Sequence, residues 1–146
     1  RPLDLLFFIY FVVHIPTTVL IDAQILLPSH FFPEALRGLL EYWVTMSGDP
    51  FIRLDQAALD PSLVWYATFV AGELIFQLPF FFYAALQLYR DSPCLPLPLA
   101  IYGAHVSTTV APILASVWLA VPHLTMDQRY ILTSAYAPYL IIPLLM

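Results

Sequence analysis

Four apolar runs dominate this chain, and each is long enough to cross a bilayer: Leu5–Ile21 with a continuation to Leu27, Leu63–Tyr89, Leu95–Val121 and Tyr130–Met146. A hydrocarbon core is about 30 Å thick and a helix rises about 1.5 Å per residue, so roughly 20 apolar residues suffice. The chain lacks the polar surface to cover such runs in water. Only 10% of its 146 residues are charged and 61% are hydrophobic, with mean hydropathy +0.81, whereas a soluble domain is about 25% charged. The fold class this implies is all-α, an integral membrane four-helix bundle. The basic residues are all Arg and the net charge is −5, which leaves no basic patch for nucleic acid. Cys94 is the lone cysteine, so no internal disulfide or cysteine-rich metal site can form, and the absence of Asn removes any N-glycosylation sequon. The first run follows Arg1-Pro2-Leu3-Asp4 with no small-residue cleavage site after it, so it reads as a span rather than a leader.

Within the first span His14, Thr18 and Asp22 recur at every fourth residue and form one polar stripe, with Pro16 between them. Asp22 is either an interfacial end-of-helix charge or points into the bundle. Pro33–Ser47 differs: Leu36, Leu39, Leu40, Trp43 and Val44 recur at helical spacing among Glu34, Arg37 and Glu41. That pattern predicts a short amphipathic helix that lies in the interface or caps the bundle. Gly48-Asp49-Pro50 ends it, where Asp49 reads most simply as a turn residue. Phe51–Asp60 is a polar connector with Arg53 and Asp55, and Asp60-Pro61 has the form of an N-cap followed by a first-turn proline. The third span carries Tyr102, His105, Thr109 and Pro112; Pro122–Arg129 is a loop; the fourth span carries Tyr136, Pro138, Tyr139 and Pro143.

Each span holds an interior proline, at Pro16, Pro79, Pro112 and Pro138. Each proline removes one helical hydrogen bond, which strands the carbonyls of Val12, Ile75, Thr108 and Ser134. Proline-kinked transmembrane helices pack less tightly at mid-depth, so the pattern predicts a cavity rather than a solid bundle.

Glu73 and Gln77 are four apart on the second span, just before Pro79. An intramembrane acid costs roughly 2.5–3.5 kcal/mol to insert and is normally kept for a partner or a cavity. Asp22, Glu73 and Asp49 are therefore candidates for one site. Two buried carboxylates that meet share a proton or take up a cation, which suits a protonated amine, a sterol hydroxyl or a proton shuttle. The plainer reading makes Glu73 interhelical glue, worth about 0.6 kcal/mol. His14, His30, His105 and His123 match no ligand spacing, so no metal site is expected. No nucleophile elbow, zinc-protease motif or phosphate loop is present, and Gly72 reads as a helix–helix contact point.

His14-Ile15-Pro16, Asp22-Ala23-Gln24, Glu73-Leu74-Ile75-Phe76-Gln77-Leu78-Pro79-Phe80-Phe81, Thr108-Thr109-Val110-Ala111-Pro112 and Tyr136-Ala137-Pro138-Tyr139 together resemble the EXPERA-domain transmembrane family, on its sigma-2 receptor branch. The match runs in order along nearly the whole chain, so residues 1–146 read as a single EXPERA-type transmembrane domain. The resemblance implies a four-helix protein of the endoplasmic reticulum, with lysosomal, nuclear or plasma membranes as further locations. It also implies a homodimer with both termini cytosolic; the arginine distribution does not decide orientation. Members bind cholesterol, oxysterols and cationic amphiphiles without a cofactor, and are linked to cholesterol homeostasis and the lysosomal cholesterol transporter. The resemblance pairs the ligand amine with Asp22, supports it with Glu73, adds Asp49 as a further pocket acid, and places His14, Gln77, Thr109 and Tyr139 along the pocket. A receptor rather than an enzyme is expected. The alternative is a sterol Δ8-Δ7 isomerase, as in the related emopamil-binding proteins. It ranks second because proton transfer across a ring system needs a donor and an acceptor on opposite sides, and the third span offers His105 but no acid.

Overall fold

The structure is a computed structural model that describes residues 2–52 and 60–146. Arg1, Arg53 and Asp55 fall outside the described residues. Among the described residues the secondary structure is helical throughout. The first helix, α1 (Pro2–Leu20), begins at a proline and carries Asp4 in its first turn, both favourable at a helix amino terminus. It runs through Pro16 and gives way to a tight 3₁₀ turn over Asp22–Ile25. The amphipathic helix α2 (Glu34–Ser47) lies where the sequence predicts it. Its inward face is Leu36, Leu40, Trp43, Val44 and Ser47, while Leu39, expected on that face, is exposed. Gly48 ends α2 in the left-handed conformation at φ 65°, and a Cβ there would press on the Gln128 side chain, so both backbone and packing call for glycine.

The second apolar run is not one uninterrupted helix. Asp60 caps it by accepting from the Ser62 N–H at 2.9 Å, then α3 (Val64–Gly72) and α4 (Leu78–Tyr89) are joined by a π-helical turn, Glu73–Gln77. The cause is Pro79. Without an N–H it cannot close the bond to Ile75, and the Leu78 N–H reaches back five residues to the Glu73 carbonyl instead. Among the described residues no atom lies within 4 Å of the place a Cβ on Gly72 would take, so Gly72 is not the helix contact point expected of it. That role falls to Gly103 on α5 (Pro96–Leu119), where a Cβ would collide with the Pro143 carbonyl.

The fourth run also departs from expectation. It starts at Met126, not Tyr130, because Thr125 and Gln128 form a reciprocal capping box: the Gln128 N–H donates to Thr125 Oγ1 at 3.2 Å and the Thr125 N–H to Gln128 Oε1 at 3.0 Å. It then divides at Ala137 into α6 (Met126–Tyr136) and α7 (Pro138–Leu144), of 11 and 7 residues. Among the described residues three segments are long and apolar enough to cross a membrane: Pro2–Ile25, Pro61–Tyr89 and Pro96–Leu119. The hydroxyls beside the prolines do not rescue the stranded carbonyls. Thr17, Thr108 and Ser134 donate instead to the carbonyls of Val13, His105 and Ile131.

α1 packs along α4, and α5 along α7. One core gathers Phe7, Phe11, Phe81, Tyr102 and Val106; a second gathers Phe51, Tyr66, Val70, Ile113 and Leu132. Arg129 closes one end by donating to the carbonyls of Val117, Trp118 and Val121 while lying over the Trp118 ring. Ile75, Phe76, Leu97, Ile101 and Leu119 face outward, an apolar exterior suited to lipid.

Candidate functional site

Residues of both cores line a cavity of about 380 Å³. Three elements bring its polar groups together: the polar stripe of α1, the 3₁₀ turn that follows, and the π-helical turn. Thr18, fully buried, donates to Glu73 Oε1 at 2.6 Å. His14 Nε2 lies 3.2 Å from that same oxygen. The imidazole is wedged between Phe81 and Tyr139, with ring centroids at 4.4 and 4.6 Å, and its Nδ1 has no hydrogen-bond partner among the described residues. Both donors therefore fall on one carboxylate oxygen of Glu73. One potential ligand atom from each of His14, Asp22 and Glu73 lies within 4.8 Å of the others.

Asp22 is the conspicuous member. Among the described residues no hydrogen bond or ion pair reaches its carboxylate, which lines the cavity. An imidazole and two carboxylates are a donor set that a divalent cation would accept, although sequence spacing shows no metal motif. They suit an organic ammonium equally, and the cavity wall is largely Val, Ile, Phe, Tyr and Trp.

The structure places His14, Asp22, Glu73, Gln77, Thr109 and Tyr139 along the cavity. Asp49 is not in the lining. It is 4% exposed and its carboxylate accepts from Trp43 Nε1 at 3.2 Å, the Tyr136 hydroxyl at 2.8 Å and the Phe51 N–H at 3.0 Å. Burial pushes the Asp49 carboxyl above the usual aspartate range, and these donors pull it partly back. The turn reading thus describes Asp49, whereas the expectation that it joins Asp22 and Glu73 as a pocket acid is not met: its carboxylate is taken up by its own donors behind the cavity wall. His105 is exposed and absent from the lining.

Sequence reasoning did not single out Thr18, Trp43, Tyr66 or Tyr136 as site residues. Thr18 was signalled by its place in the stripe between His14 and Asp22. Trp43 was visible only as part of an apolar helical face, and nothing in its spacing marks Tyr66.

Residues 35–146 match the EXPERA family, the expanded EBP superfamily. Over its whole length the chain is 35% identical to the Sigma intracellular receptor 2 of Xenopus tropicalis, spanning 86% of that protein. It is 34% identical to the protein of that name from Homo sapiens, spanning 85% of it. It is also 29% identical to the Efficient mitochondria targeting-associated protein 19 of Schizosaccharomyces pombe, over 99% of this chain and 72% of that protein.

Proposed function

The chain belongs to the EXPERA superfamily, and from that premise we propose that it is an intracellular membrane receptor for sterols and cationic amphiphiles, held in an acidic intramembrane cavity. In this reading α6 and α7 together supply a fourth crossing, α2 lies in the interface, and the receptor works in the endoplasmic reticulum membrane as a homodimer concerned with cholesterol homeostasis.

The observation that carries the proposal is the Asp22 carboxylate, which has no partner among the described residues, beside Glu73. Two unit charges roughly 4 Å apart interact by about 4 kcal/mol at an effective dielectric of about 20. As like charges they repel, and a cation between them turns the repulsion into attraction. Thr18 and His14 occupy Glu73 Oε1 and so fix the carboxylate, while Asp22 is left to meet the ligand. A bare metal ion fills little of a cavity of about 380 Å³. A lipophilic amine fills it, placing its ammonium at the acids and its body on the aromatic wall, where cation–π contact adds to apolar burial.

The test is binding of a radiolabelled lipophilic amine to purified protein. Asp22→Asn is expected to weaken it about 30-fold or more, the usual consequence of truncating one partner of a buried charge pair. Affinity equal to the wild type rejects the proposal. A sterol isomerase is the second reading, because acid and imidazole stand together against an apolar cavity. Turnover of a Δ8 sterol that vanishes in Glu73→Gln would put it first.

A further inference from the structure

The hydroxyl groups of this cavity have a direction. Tyr136 has one proton, and it goes to Asp49 Oδ2 at 2.8 Å. The Tyr66 hydroxyl lies 3.4 Å from the Tyr136 hydroxyl. Since Tyr136 has no second proton, Tyr66 must be the donor in that contact. The Asp49 carboxylate faces three donors, from Trp43, Tyr136 and Phe51, so the chain Tyr66 to Tyr136 to Asp49 is polarised one way. Both rings line the cavity, and what their oxygens have left to offer is lone pairs. The 3.4 Å contact is long for an O–H···O bond; a donor arriving at Tyr66 would polarise and tighten it.

Two further lining residues show the same bias. Thr17 donates to the Val13 carbonyl at 3.0 Å and Thr109 to the Val106 carbonyl at 2.9 Å. Trp43 also lines the cavity, and its N–H is committed to Asp49. Among the described residues the polar wall is thus rich in acceptors and poor in free donors, the Gln77 amide excepted; the Tyr139 hydroxyl is hydrogen-bonded to Thr17.

We infer that Tyr66 and Tyr136 form a second, acceptor-only subsite in this cavity, which takes a hydroxyl or N–H group carried by the ligand away from its cationic end. The inference rests on the receptor reading and deepens it: the preferred ligand carries a donor as well as a cation. Acceptor-only groups such as ethers and ketones strand lone pairs against lone pairs there. Asp49, outside the cavity, sets this preference through the tyrosine pair.

The probes are three lipophilic amines that differ only at the far end: a phenol, its methyl ether and the unsubstituted parent. Wild-type protein is expected to bind the phenol about 5- to 10-fold tighter than the ether, the worth of one neutral hydrogen bond. Tyr66→Phe should erase that ratio, and an unfolding midpoint close to that of the wild type shows that the variant is folded. Asp22→Asn should weaken all three together. An ether bound as tightly as the phenol by the wild type overturns the inference, and so does a phenol preference that survives in Tyr66→Phe. Parent-amine affinity that ignores Asp22→Asn counts against the cation reading instead, and the phenol-to-ether ratio is scored independently of it.

Discussion

Asp22 and Asp49 are the same residue type in the same small protein, and the fold treats them oppositely. Asp49 sits in the turn after α2 with three donors on its carboxylate, two of them from aromatic side chains far apart in sequence. Asp22 sits in the turn after α1, a few ångströms from a second acid, with no described donor. A buried carboxylate without partners is costly, so a fold whose described residues supply three donors in one place and none in another has separated two tasks. Asp49 holds the chain together across α2, α6 and the segment at Phe51. Asp22 keeps its hydrogen-bonding capacity for something that arrives later.

The contrast can be broken most directly by truncation. Asp49→Ala strands the Trp43, Tyr136 and Phe51 donors and is expected to lower stability by about 3 kcal/mol or more, read as a fall in unfolding midpoint in detergent. Asp22→Asn, which relieves repulsion with Glu73, should leave that midpoint unchanged or raise it. Equal losses in the two variants would erase the distinction. A smaller effect is expected of Thr18→Val, which takes one of two donors from Glu73 Oε1. Amine affinity should fall by about 1 kcal/mol, and unchanged affinity would show that the Thr18 bond does not position Glu73.

The smallest effect, and the one that sharpens the comparison, is in pH. Protons compete with an ammonium for the Asp22 carboxylate, so amine affinity should fall on acidification; a flat profile counts against carboxylate pairing. Asp49 runs the other way. Its folded carboxyl is held above the ordinary aspartate range by burial, so the native state binds that proton more tightly than the unfolded chain does. Its contribution to stability therefore falls as pH rises from that ordinary range through the folded value, and returns on acidification. Ligand affinity and Asp49's share of ligand-free stability should move in opposite directions with pH.

Much of this was legible in the residues. The apolar runs fixed α1, α5 and the three long spans, and the change to a charged amphipathic pattern located α2 almost to the residue. The His14–Thr18–Asp22 stripe and the Glu73–Gln77 pair were visible because helical spacing puts such residues on one face, and both reach the cavity. Other features depend on what the chain does around a missing N–H or across a tertiary contact. Pro79 announced a defect in the helix but not that a π-helical turn would absorb it. Thr125-x-x-Gln128 carried a capping signature inside what reads as a loop, which is why α6 starts early. The partners of Asp49 come from α2 and α6, and no local pattern names a tyrosine so far along the chain as a donor.

The π-helical turn has a consequence of phase. A helix advances about 100° per residue, and a turn closed five residues back contains one residue more than the regular repeat. Deleting one residue between Glu73 and Gln77 would heal the helix and keep the phase beyond it, whereas closing the same residues into a regular α-helix would swing everything after them, Phe80 and Phe81 included, by roughly that angle. Phe81 would leave His14, and α4 would show α1 a different side. The acid at the start of the irregularity and the aromatic ring beyond it are thus clocked to each other by one surplus residue.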